Sequence, residues 1–409
     1  MRNVLPAHVP ADTQRAWEEQ RADLDVARLM MLEQPYAADP IVRAQGLYLI
    51  QMLQAFAFNI YLAPRQRYPN FYSQTIFLPF ESSFGAPCPD FCYYWTFLDG
   101  RRTYRITGKL GTTRWIEFQM IKGFWGDRDM RSLGNFDFDK CIVDPDGRFE
   151  IIASAQEHAD NWLRLGPEMR NITVLTREAW YDWENDVGIK LEIECLDGDA
   201  APVAHSEEEI NRRIRAAGYL ARFDVEFFVK MNNRVLEAVG LNRFYMPPMN
   251  AHDDVGGNPR ACYLHMIYDI GPEDALLIEV DVPQARFWSI QLADMWWQTT
   301  DYAHHHSSLN GHQVSIDADG KCRIVISHRD PGVPNWLDPV EPAVGVAQWR
   351  WYLAETHPVP TVTKMPLDEI REHLPAGTPV VTAEQRAAVV AMRRRAALRR
   401  HGFYQGEAA

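Results

Sequence analysis

Residues 317–339 read "DADGKCRIVISHRDPGVPNWLDP", and residues 144–165 read "DPDGRFEIIASAQEHADNWLRL". Both run Asp-x-Asp-Gly, then an alternating apolar run, a Ser, a short gap and Asn-Trp-Leu. Asp-Gly supplies a turn and the alternation a half-buried strand, so each phrase is a turn, a strand and a Trp-anchored corner. Asp146-Gly147 and Asp319-Gly320 lie 173 positions apart, and Asn161-Trp162-Leu163 and Asn335-Trp336-Leu337 lie 174 apart. "TTRWIEFQM" (112–120) echoes "ARFWSIQLA" (285–293), setting Trp115 against Trp288 with Gln119 and Gln291 out of step by one. "LTREAWYDW" is echoed in turn by "GVAQWRWYL". Ordered matches at nearly one offset point to two related β-domains in tandem. The copies should differ locally. Ser154 and Glu157 give the first corner a helix-capping pattern, whereas Pro331 and Pro334 forbid a helix in the second.

The bulk numbers bound what such a tandem can do. A chain of 409 residues holds two or three domains with length for a real core. Its 12% aromatic content, with 13 Trp, suits β-rich cores and pocket walls. A net charge of −13 argues against nucleic-acid binding, which needs a basic face to neutralise phosphates. The six cysteines are dispersed, and only Cys88 and Cys92 sit close, without a second pair to complete a zinc site. They read as reduced thiols of a cytoplasmic protein. The N-terminus lacks an apolar core of signal-peptide type. The longest apolar run, "LYLIQMLQAFAFNIYL" (47–62), carries Gln51, Gln54 and Asn59 and is too short to span a bilayer, so a buried helix and no membrane partner are expected.

Residues 11–62 read as mostly helical, with Pro35 and Pro40 as a break. β character starts at Phe71 and runs through "GIKLEIECLDG". Residues 206–240 form a long helix opened by Ser206 with Glu209 and closed by Gly240. From Cys262, "CYLHMIYDI", "ALLIEVDV", "RFWSIQLA", "HQVSIDADG" and "CRIVISH" follow at the spacing of a sandwich or jelly roll. A basic helix capped by Thr382 and Gln385 ends the chain, solvated or docked on the acidic body. The expected fold is α+β, mainly β: two related β-sandwich or jelly-roll domains in tandem. The expected segments are an N-terminal helical segment (1–68), a first sandwich (69–205), a connecting helix and loop (206–258), a second sandwich (259–355) and a C-terminal extension (356–409).

The pieces "ARFWSIQLAD", "SSLNGHQ", "DADGKCRIVISHRDPGVPNWLDP" and the following Arg350 resemble the bacterial family called domain of unknown function 1214. That family often stands beside a companion called domain of unknown function 1254. The resemblance covers residues 260–352. The first half resembles the wider family more loosely, through "TYRITGKLGTT" and "NWLRL…LTREAWYDW". It implies β-sandwich or jelly-roll domains and brings no reaction with it. The triple His of "YAHHHSSLNG" departs from the family pattern.

The repeated phrase reads as architecture, so chemistry is sought where the copies differ. On a strand, His304 and His306 would share a face and, with His265, His312 or His328, could hold a divalent metal as cupin-like barrels do. The Glu that usually follows such a pair is missing, "SSLN" standing in its place, and a solvated His-rich loop is the alternative. "LADMWWQTTDY" offers Asp294, Asp301 and Tyr302 for acid–base work together with His304. It also offers Trp296 and Trp297, of which one would pack the core while the other lines a cavity; Tyr72 and Tyr94 are further candidates for substrate contact. The loop carrying His252, Asp253 and Asp254 could border a site or be a linker. No Gly-x-Ser-x-Gly elbow, phosphate loop or dinucleotide fingerprint is present, so no organic cofactor is expected. The leading expectation is a catabolic or tailoring enzyme, of hydrolase or lyase type, acting on a small apolar terpenoid, steroid or aromatic molecule. The alternatives are a non-catalytic carbohydrate- or small-molecule-binding protein, or a cupin-like metal enzyme; a homo-oligomer fits any of these.

Overall fold

A computed structural model describes residues 9–63, 68–74, 83–198, 206–249, 257–340 and 343–402. The expected helices are present as α1 (Ala11–Leu32), α2 (Pro40–Ala57), α3 (Glu207–Val239) and α4 (Ala383–Arg400). Their ends follow local chemistry. Asp39 accepts from the Ile41 and Val42 amides with Pro40 in the first turn of α2. Thr382 and Gln385 cap α4 reciprocally. At α3, Ser206 accepts from the Glu209 amide, but the Glu209 side chain turns to Arg212 and Arg213, so the expected box is half made. Gly240, at φ 73°, ends the helix in a conformation that favours glycine.

Among the described residues the first half holds nine strands: β1 (Tyr72–Ser73), β2 (Phe91–Leu98), β3 (Tyr104–Lys109), β4 (Trp115–Lys122), β5 (Arg131–Asp137), β6 (Arg148–Ser154), β7 (Trp162–Arg164), β8 (Ile172–Ala179) and β9 (Lys190–Cys195). The second holds β10 (Ala261–Asp269), β11 (Asp274–Asp281), β12 (Ala285–Ala293), β13 (Ser308–Asn310), β14 (Lys321–Ile326), β15 (Trp336–Leu337), β16 (Val344–Ala354) and β17 (Thr361–Pro366). They pair into four sheets. The inner sheets run β1-β2-β8-β4-β5 and β10-β16-β12-β13, and the outer sheets β7-β6-β3-β9 and β15-β14-β11-β17. Leaving out β1, strands β2 to β9 occupy the same places as β10 to β17, one for one. β17 pairs with β11, so the second β unit runs past the expected boundary at residue 355.

The opening phrases show why. Gly147 and Gly320 donate to Asp144 and Asp317 at 2.9 Å each. The side chain of Asn161 accepts from the Ile142 amide and donates to the Ile142 and Glu150 carbonyls. Asn335 does the same with Ser315 and Arg323. Trp162 Nε1 donates to the Ser154 carbonyl at 3.0 Å, and Trp336 Nε1 to that of Ser327 at 2.9 Å. The helix expected at Ser154–Glu157 is not formed. The Ser154 hydroxyl donates to the Gln156 carbonyl, as Ser327 does to Arg329, and the Trp-anchored corner overrides the capping pattern. Strand register also corrects the echo: Gln119 lies opposite Leu175 and Gln291 opposite Gln348, so the glutamines correspond and Trp115 matches Phe287. One expected strand is absent, residues 312–316 making one isolated bridge, Ile316 to Cys322, and residues 302–305 form turns, the loop alternative to a His-bearing strand.

Each half packs its inner sheet on its outer one. Phe118, Ile151 and Val174 meet in the first sandwich, and Trp288, Trp349 and Trp351 in the second. The opposite faces of both inner sheets share a third core with α1, α2 and α3. Central strands are therefore buried on both sides, and alternate residues serve different cores.

Candidate functional site

The third core is incompletely filled. A cavity of about 130 Å³ lies between the inner sheets and α3. Its apolar walls come from Trp95, Phe124 and Trp125 of the first half, Phe228 and Met231 of α3, and Trp297 of the second half. Its polar wall is built twice over. Arg177 on β8 faces Tyr93 on β2, and Arg350 on β16 faces Tyr263 on β10. The two arginines lie 173 positions apart, the offset of the repeated Asp-Gly. His265 and Gln348, a register pair, complete the second half's contribution with Tyr352.

The two halves also exchange contacts reciprocally. Arg114 Nε donates to the Arg286 carbonyl at 2.8 Å and Arg286 Nε to the Arg114 carbonyl at 3.4 Å. Gln119 Nε2 reaches the Gly257 carbonyl at 2.8 Å, and Gln291 Nε2 that of Pro87 at 3.1 Å. Tyr93 accepts from the Cys88 amide and Tyr263 from the Asn258 amide. The segment leading into each half is thus held by the opposite half, and both segments edge the cavity.

The symmetry breaks in charge. Arg177 Nη1 donates to Gln119 at 2.7 Å and sits 3.4 Å from Glu117, a fully buried carboxylate. Glu117 also accepts from Asn258 and Arg260, both at 2.8 Å. Ser289 takes the corresponding place opposite Arg350. Arg350 is 3% exposed and donates to Gln291, Gln348 and the Ala86 carbonyl at 2.8 Å, all neutral acceptors. Among the described residues it forms no ion pair, and no carboxylate lines the cavity. Burial pushes the Tyr352 phenol well above its ordinary value, so it is neutral, and its hydroxyl lies 3.2 Å from that of Tyr263. Burial likewise pushes the Cys88 thiol, 3.6 Å from Ser289 Oγ, up to about 12.

Of the site residues singled out from sequence, Trp297 and His265 line this cavity, and Trp297 is the one expected there for substrate contact. It stacks on Phe228 at 4.9 Å, meets His265 edge-on at 4.8 Å and donates through Nε1 to Asn232 at 2.8 Å. Its φ of 63° is costly for a side chain of this size. Asp294 holds that turn, accepting from the Trp296 and Gln298 amides at 2.9 Å each and from Gln298 Nε2 at 2.7 Å. Asp294 is therefore a support for Trp297, outside the cavity lining. The two tryptophans occupy a turn and diverge as expected, Trp296 packing on Tyr36 and donating to the Val42 carbonyl.

The other candidates are dispersed. His304 pairs with Asp301 at 2.8 Å on the surface. His305 pairs with Asp338 at 2.9 Å, and the buried His306 donates to the Trp336 carbonyl. His304 and His306 are thus drawn to different partners, and among the described residues no group of three His, Cys, Asp or Glu converges on a point. Tyr302 is buried against Trp183 at 5.9 Å and beneath Arg400. Tyr94 packs beside that cluster, and Tyr72 is half exposed near Phe97. His252, Asp253 and Asp254 lie outside the described residues. The basic helix α4 docks on the body. Arg393 donates to the Tyr302 and Ser308 carbonyls, and Arg393 and Arg400 both stack on Trp183.

Sequence reading missed Arg177, Tyr93 and Tyr263, named Arg350 only within the family resemblance, and considered His265 only as a metal ligand. The signal was there in "QWRWY", where Gln348 and Arg350 alternate with Trp349 and Trp351 on a strand too apolar to be exposed.

Residues 274–355 match the family model described as protein of unknown function (DUF1214). That match covers β11 to β16 of the second half. A crystal structure of an uncharacterized protein from Burkholderia cenocepacia is similar at 27% identity, covering 87% of this chain and 97% of that one, with a TM-score of 0.80. The VPA0106 protein from Vibrio parahaemolyticus covers 83% of this chain at 12% identity with a TM-score of 0.44. No curated protein matches the chain. The first likeness extends over both halves and agrees with the mainly β, four-sheet architecture. Among the described residues no helix is long and apolar enough to cross a membrane.

Proposed function

We propose that the chain binds a small, largely apolar molecule in the cavity between its two halves, as a binding protein or an enzyme of hydrolase or lyase type. The observation that carries this reading is an aromatic-walled void of about 130 Å³ at the junction of two sheets and a helix, the kind of place where small ligands bind. A cavity of that order takes a ligand of roughly benzene size. Trp296 and Trp297 are 3% and 2% exposed, which removes the flat exposed platform that carbohydrate stacking would use. A catalytic reading is supported by His265 and the Tyr263–Tyr352 hydroxyl pair rather than by Asp294 and Asp301. We also read each half as a jelly-roll variant of the sandwich, the first as the companion type called domain of unknown function 1254.

The test uses the fluorescence of Trp95, Trp125 and Trp297 at the cavity. Titration with small aromatic and aliphatic molecules should give a saturable change, and Leu175→Phe, which fills the cavity, should remove it. A panel of such molecules that leaves fluorescence and thermal midpoint unmoved would sink the reading. For the catalytic form, His265→Gln should abolish turnover of a bound substrate while leaving its affinity within about threefold.

A further inference from the structure

We propose that the ligand of this cavity is an anion, a single carboxylate on a small aromatic or apolar body, with the carboxylate seated against Arg350. The inference rests on the binding reading above and adds the sign of the ligand's charge. A guanidinium buried without a counter-charge is expensive, and proteins pair such groups or use them. Both outcomes are present here. Arg177 is paired with Glu117, and the corresponding Arg350 meets Ser289 and neutral amides. Arg350 uses three of its five N–H hydrogens on Gln291, Gln348 and Ala86, leaving donors for a ligand.

Among the described residues that line the cavity, the formal charges are those of Arg177 and Arg350. No carboxylate among the described residues lines the cavity, and Glu117, beside the wall, is shared by Arg177 and Arg260. A cation would therefore find no partner, and a neutral ligand would leave Arg350 uncompensated. A carboxylate fits the guanidinium fork, and the Tyr263–Tyr352 hydroxyl pair lies on the same wall. The aromatic walls set the rest of the ligand: Trp95, Phe228 and Trp297 leave room for a ring or short chain and few further polar groups.

The experiment is a calorimetric and fluorescence titration of the full chain with benzoate, phenylacetate and hexanoate, each beside its uncharged amide. The acids should bind at least about tenfold more tightly than the amides. Arg350→Gln should erase that preference. Gln348→Glu is an independent second variant, isosteric at a side chain that already touches Arg350; it supplies the missing carboxylate inside the protein and should erase the preference with the fold intact. Acids and amides binding equally, or a preference for acids that survives Gln348→Glu, would overturn the proposal while leaving small-molecule binding standing. If neither acids nor amides bind, both readings fall.

Discussion

Arg350 and Asp294 behave in opposite ways for one reason, the cost of burying a charge. Arginine cannot shed its proton within the working range, so Arg350 keeps its charge and must find acceptors. A carboxyl can, and burial pushes Asp294 up to about 6 from an ordinary 3.8 despite the amide bonds it accepts. Between those values the native carboxyl holds a proton that the unfolded chain has lost. Its contribution to stability is therefore full below about pH 4 and is lost as pH rises to about 6. Asp294→Asn should gain on the wild type over that window by about 2 kcal/mol. Urea midpoints at pH 4.5 and pH 7 would check this, and a difference that does not change with pH would refute it. The Asp301–His304 pair is a contrast. Both side chains are more than 40% exposed, so Asp301→Asn should cost less than about 1 kcal/mol and leave ligand titrations unchanged. Sequence singled these residues out, though they lie outside the cavity lining, because titratable groups in a divergent stretch look alike whether they face a cavity, a turn or water. Contact with the cavity is a tertiary fact.

Among elements, the repeated corner and α4 show what a sequence pattern can and cannot disclose. Asn161 and Asn335 make the same three hydrogen bonds, but Asn335 is 6% exposed and Asn161 is less enclosed. Asn335→Ala should cost about 2–3 kcal/mol and Asn161→Ala about 1, since the deeper site strands its backbone partners away from water. Equal losses in denaturant titrations would show that burial is not what sets the cost. In the arginine run of α4, Arg393 is buried and Arg394 exposed. Arg393→Met leaves the Tyr302 and Ser308 carbonyls without their donor and should cost about 2–4 kcal/mol, whereas Arg394→Ala should stay within about 0.5 kcal/mol. The helices, most strands and the twofold repetition were legible because capping residues, turn glycines and alternation act locally. The false helix at Ser154 came from the same local rules, where a Trp corner took the backbone elsewhere, and at His304 an Asp301-capped turn decides for the loop over the strand.

At the scale of the whole molecule, the reciprocal ties Gln119–Gly257, Gln291–Pro87 and Arg114–Arg286 join two halves that each have a core of their own. Heat unfolding should show a single calorimetric transition, with both sandwiches melting together; two resolved transitions would mean that the ties are weaker than either core. The cavity was not legible in sequence because its wall is assembled from strands 173 positions apart, across an interface that no local pattern announces. That wall has a further property. Its two arginines are matched by position and distinguished by one partner, a glutamate at 117 and a serine at 289. A carboxylate placed at 289 would change the polarity of the chamber, whereas Glu117, which also holds Asn258 and Arg260, belongs to the scaffold. On the binding reading proposed above, a single substitution at position 289 would turn the chamber from acidic toward uncharged guests while the strands that wall it stay as they are.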